Sequence, residues 1–78
     1  MLNKNQIRFV KSLQQKKNRI YHKSFVVEGT KNVLELIRSD YRLLNLFATK
    51  EWVDNNLKDQ DPHFHESSSS ELSRMSGL

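Results

Sequence analysis

Ile7, Phe9, Val10 and Leu13 fall on roughly half of a helical circumference, with Lys4, Arg8, Lys11 and Gln15 largely elsewhere. That spacing predicts an amphipathic first helix over residues 4–14. Residues 15–23, QKKNRIYHK, lose the period and read as a basic loop carrying one aromatic, Tyr21. Phe25, Val26 and Val27 form a short aromatic and β-branched run, which predicts a strand. Gly29 ends it and Thr30 suits the N-cap of a second helix, whose wide apolar face of Val33, Leu34, Leu36 and Ile37 runs to about Ser39.

Residues 42–49, RLLNLFAT, are apolar on both faces except at Asn45, the pattern of a strand covered on each side. Thr49 is placed to cap a third helix holding Trp52, Val53 and Leu57, and Pro62 closes the KDQDP turn. His63 to Ser67 reads as a third strand, carrying Phe64. The serines that follow have the composition of a linker. Ser68 and Glu71, however, have the spacing of a capping box, with Leu72 and Met75 next at helical intervals. The expected order is α-β-α-β-α-β-α: an α/β fold with a small sheet between helices on both faces.

Composition narrows the functions open to such a chain. At 78 residues it is one small domain at most. Without cysteine it has no disulfide framework and no thiolate zinc site. No apolar run exceeds three residues, which excludes a membrane span or a signal-peptide core. Charge is unevenly spread. Residues 1–23 hold seven basic residues and no acid; the remainder holds six basic and nine acidic residues, leaving the chain at +4. This asymmetry points to a polyanion-binding end, against the plainer reading of a solvated basic face. A mitochondrial transit peptide would also be basic, but this segment has few Arg and Ser and leads straight into the core pattern.

No catalytic constellation is visible. His63 and His65 would share a strand face as metal ligands do, but lack an evident third ligand and read as exposed strand histidines. His22 lies in the basic loop within reach of phosphate, or is simply solvated. Two glycines in all leave no phosphate-cradling loop, and Glu28 has no partner acid. Lys16, Lys17, Arg19 and Lys23 combine phosphate-neutralising charge with a ring, Tyr21, on which a base can stack. The plainer alternative is that Tyr21 anchors the loop on the core.

The stretch VKSLQQKKNRIYHKSFVVEGTKNVLELI resembles the N-terminal substrate-binding domain of SpoU-type (TrmH-type) RNA 2'-O-ribose methyltransferases. Lys11, Leu13, Lys16, Arg19, Phe25, Val27, Glu28, Gly29, Lys31, Val33 and Glu35 match that pattern. LFATKEW resembles the family's second strand and following helix, and HESSSSELSRMSGL its third strand turning into the helix before the inter-domain linker. The resemblance implies a three-layer α/β/α sandwich like that of kink-turn-binding ribosomal proteins, with the Glu28-Gly29 corner and the adjacent basic loop on the RNA side. RNA-binding residues are then expected at Lys16, Lys17, Arg19, Tyr21, Lys23, Glu28, Gly29 and Lys31. Glu28 is expected either to accept backbone N–H groups at the helix start or to orient a neighbouring Arg or Lys.

In that family a larger catalytic domain binds S-adenosylmethionine and carries Arg and Asn motifs absent from these residues. The resemblance therefore implies residues 1–78 to be one RNA substrate-binding domain, the N-terminal part of a longer cytoplasmic enzyme acting on rRNA or tRNA. It implies no membrane partner, a monomeric fragment, and a full-length enzyme that dimerises through its catalytic domain. A free-standing ribosomal or kink-turn-type RNA-binding protein is the alternative. Such proteins have Gly-(Ala/Thr)-Asn-Glu at the corner, whereas here Gly29-Thr30 is followed by Lys31-Asn32. A third reading, docking on a protein through Trp52 and Phe64, competes with both being core residues.

Overall fold

Asn3 and Gln6 open the first helix, α1 (Lys4–Ser12), with a reciprocal cap. Asn3 Oδ1 accepts the Gln6 N–H at 2.8 Å, and Gln6 Oε1 accepts the Asn3 N–H at 2.9 Å. The computed structural model describes residues 2–59 and 61–76; Gln60 of the expected turn and Gly77 and Leu78 after the last helix lie outside them. The further elements are α2 (Lys16–His22), α3 (Thr30–Arg38), β1 (Leu46–Ala48), α4 (Lys50–Asn56), β2 (Phe64–Glu66) and α5 (Ser69–Met75).

The apolar stripe of α1 buries Ile7 and Val10, and Leu13 at its C-cap is buried too. Ile7 and Val10 form one cluster with Leu2 and Met75, against which Phe47 and Leu72 pack. Helix α5 is held to this cluster by its own cap. Ser68 and Glu71 form the expected capping box, and the second carboxylate oxygen of Glu71 accepts the Leu2 N–H at 2.9 Å. One acid thus closes the start of α5 and fixes residue 2 against it.

Strands β1 and β2 pair in parallel, Leu46 opposite Phe64, Phe47 opposite His65 and Ala48 opposite Glu66, with α4 as the crossover between them. Thr49 caps α4 as expected, its hydroxyl accepting the Trp52 N–H at 3.1 Å. Alternation turns Phe47 toward the α1/α5 cluster and sends Leu46 and Ala48 the opposite way. Both are buried, so the sheet is covered on each face and the mixed α/β character is borne out. His65 is not an exposed strand histidine. Its ring stacks on Phe47 with centroids 5.2 Å apart. Because Gln6 Oε1 is occupied by Asn3, the Gln6 amide nitrogen faces the ring; His65 Nδ1 accepts from it at 3.3 Å and Nε2 donates to Asn45 Oδ1 at 2.9 Å.

Several expectations are corrected. The first helix ends at Ser12 rather than residue 14, and the basic loop contains a helix, α2. Phe25 to Val27 make no strand: among the described residues the sheet has two strands, and this run pairs with neither of them. Phe25 and Val26 are exposed, Val27 is half-buried, and the Phe25 ring meets Tyr41 edge-to-face at 5.5 Å. The long apolar stretch 42–49 is a strand only over Leu46–Ala48, where β2 supplies a hydrogen-bonding neighbour. Gly29, not Thr30, is the N-cap of α3. The Thr30 hydroxyl instead accepts from Trp52 Nε1 at 2.9 Å, joining α3 to α4.

Candidate nucleic-acid interface

Helix α2 is amphipathic in reverse. At 100° per residue, Asn18, Arg19 and His22 share one side, and Lys16, Ile20, Lys17 and Tyr21 the other. The polar side is the one turned to the protein. Asn18 Nδ2 donates to the Ser12 carbonyl at 2.9 Å, and Arg19 Nη1 donates to the Leu13 and Gln14 carbonyls, each at 2.8 Å. These oxygens at and just past the end of α1 have no intrahelical partner, and a cation beside them also suits the negative end of the helix dipole. His22 meets the Phe9 ring edge-to-face at 5.0 Å.

The opposite side faces water. No residue of α2 is buried, and Ile20 and Tyr21 retain 66% and 81% of their accessible surface. Lys16 lies one turn before Ile20, and Lys17 one turn before Tyr21, so each ammonium flanks an apolar group at i, i+4 spacing. Tyr21 touches the protein through His22, whose ring it meets edge-to-face at 4.9 Å. Tyr21 is therefore not a core anchor.

Helix α2 ends in a Schellman turn. Ser24 N–H donates to the Arg19 carbonyl at 3.1 Å and Lys23 N–H to the Ile20 carbonyl at 3.3 Å. Lys23 occupies the left-handed position at φ 52°, where glycine is the usual residue. A non-glycine residue there is strained, and the exposed ammonium of Lys23 is what the position carries instead.

The corner that follows turns on Gly29, at φ 91° and ψ 143°, a conformation that L side chains rarely adopt. Its carbonyl accepts the Val33 N–H at 2.9 Å, starting α3. Half-buried Glu28 points to the far end of the chain, accepting the Ser76 hydroxyl at 2.6 Å through Oε1, while its own carbonyl accepts from Asn32 Nδ2 at 3.2 Å. Ser76 in turn accepts from Gln14 Nε2 at 3.5 Å through its carbonyl. Glu28 is thus part of a tie between the corner, the end of α5 and the segment after α1. Lys31 is exposed in the first turn of α3.

The residues expected to meet RNA separate accordingly. Lys16, Lys17, Tyr21 and Lys23 are presented outward by α2 and its C-cap. Arg19, Glu28 and Gly29 hold the framework, and Lys31 stands on the neighbouring helix. Sequence reasoning missed Ile20, exposed beside Tyr21, and the inward role of Asn18. The order polar, polar, apolar, apolar, His over residues 18–22 signals both only once the segment is known to be helical.

Fold and surface together define a small α/β module that offers a basic, ring-bearing helix to solvent. The chain belongs to the MRM3-like substrate binding domain family, whose model matches residues 4–78. That match bears out the resemblance to SpoU/TrmH-type methyltransferase substrate domains, and membership implies an RNA partner. Comparison with curated proteins and with solved structures gave no match.

Proposed function

We propose that this chain holds the RNA substrate of an S-adenosylmethionine-dependent ribose 2'-O-methyltransferase acting on rRNA or tRNA, with methyl transfer performed by a separate catalytic domain. The observation that carries this reading is the outward side of α2, where Lys16, Lys17 and Tyr21 are exposed in a family of substrate-binding domains. Phosphates would be neutralised by Lys16, Lys17 and Lys23, with Lys31 as a further cation on α3. The framework residues Arg19, Glu28 and Gly29 act by keeping α2 and the corner in place.

In this reading S-adenosylmethionine is bound, and methyl transfer performed, by the catalytic domain of the parent enzyme.

Fluorescence anisotropy with fragments of rRNA and tRNA tests the reading directly. Binding should weaken steeply with salt, at a log–log slope of about −2 for three lysines on a single strand. Affinity indifferent to salt, or no binding at low salt, would remove the proposal.

A further inference from the structure

We infer that the outward side of α2 takes unpaired nucleotides rather than duplex RNA, with Tyr21 as the stacking ring; this rests on the RNA-binding reading above. The fold does not account for the placement of Ile20 and Tyr21. In a helix whose polar side chains already secure it to α1, the two apolar residues are turned to water and kept at 66% and 81% exposure. A ring in that position is available to a flat ligand.

The ring is available but not loose. Its edge-to-face contact with His22, at 4.9 Å and 88°, covers at most one of its faces. His22 is itself seated on Phe9 of α1 at 5.0 Å and 81°. The chain of rings Phe9–His22–Tyr21 thus runs from the half-buried side of α1 out to solvent and reduces the freedom that stacking would otherwise have to remove. Charge complementarity supplies the other half. Lys17 precedes Tyr21 by one turn, so a base on the ring has a cation at i, i+4 spacing for a flanking phosphate, and Lys23 adds a second exposed cation at the C-cap.

The geometry discriminates between RNA forms because a protruding ring needs a free base face. In an A-form duplex every internal base face is stacked on its neighbours, the major groove is too deep and narrow to enter, and the shallow minor groove displays edges and 2'-hydroxyls. Loops, bulges and ends expose faces, and a face is recognised with little regard to sequence. Ile20, beside the ring, offers apolar surface to the neighbouring sugar or base.

The test compares the 78-residue chain with its Tyr21→Ala and Tyr21→Phe variants, using a fluorescein-labelled single-stranded RNA and the same sequence as a blunt duplex. Tyr21→Ala should weaken single-strand binding about tenfold or more while leaving the salt slope and the melting temperature unchanged. Tyr21→Phe should bind as the parent does, and duplex binding should not respond to either change. On adding the single strand, the Tyr21 ring proton resonances should move upfield under the base's ring current. Equal losses on duplex and single strand, or no loss on either, would overturn the stacking role while leaving salt-dependent RNA binding in place. Absence of salt-dependent binding by the unaltered chain to both RNAs would instead remove the RNA-binding reading and this inference with it.

Discussion

The guanidinium of Arg19 donates to the Leu13 carbonyl at 2.8 Å, and through the same Nη1 to Gln14 at the same distance. Arg19, expected among the RNA-binding residues, fastens α2 to the end of α1. Its removal should act on stability. Losing charge-assisted bonds of this kind costs about 1–2 kcal/mol where the site is half-exposed. Arg19→Ala should therefore lower the melting temperature by roughly 4–16 °C for a domain of this size. Lys16→Ala and Lys17→Ala should leave it nearly unchanged, as differential scanning fluorimetry can show.

The charge on α2 gives the complementary expectation. Replacing Lys16 and Lys17 together by alanine should make the log-affinity against log-salt slope for single-stranded RNA shallower by about 1.4. Replacing Lys50 and Lys58, exposed in and after α4, should change it little. Equal effects from the two pairs in an anisotropy titration would mean that charge anywhere on the surface suffices.

Lys23 should separate stability from binding. With φ at 52° it sits where glycine is at ease. Lys23→Gly should raise stability by about 0.5–1 kcal/mol and make the salt slope shallower by about 0.7. Opposite movements of melting temperature and RNA affinity are the expected outcome. A fall in both would show that the lysine contributes to the turn itself.

Gly29→Ala should cost about 1–3 kcal/mol. The open space around the position means that the cost comes from backbone strain alone, since an added methyl meets no neighbour. Gly29→Ala and Gly29→Ser should then destabilise alike in urea unfolding, because the penalty depends on possessing a Cβ rather than on its size.

Glu71 makes the fold sensitive to acid. The Ser68 N–H and then the Leu2 N–H, both bonded to its carboxylate, hold its pKa below the ordinary 4.5. A depressed carboxylate contributes stability in full above its unfolded value and loses it as pH falls through the folded one. Melting temperatures of the parent and Glu71→Gln should differ most near neutrality and converge below about pH 4.5. A gap that stays constant into acid would show that the carboxylate's charge is not what matters.

Much of this molecule was legible in local sequence. The amphipathic stripe of α1, the apolar face of α3, the Thr49 cap, the Ser68–Glu71 box and the turn at Gly29 are each decided within a few residues, by side-chain period, by cap chemistry or by freedom at φ > 0. What depends on a distant partner was not. Whether an apolar run becomes a strand is settled by the neighbour that satisfies its backbone, so 42–49 shrank to Leu46–Ala48 beside β2 and Phe25–Val27 stayed outside the ladder. Helix α2 was hidden for the opposite reason. Its inward side is polar, satisfied by carbonyls at the end of α1 that no periodicity records, and its apolar residues point to water. Local sequence thus set where charge and ring occur, while the docking of α2 on α1 decided that Arg19 would serve the fold and that Lys16, Lys17 and Tyr21 would face outward.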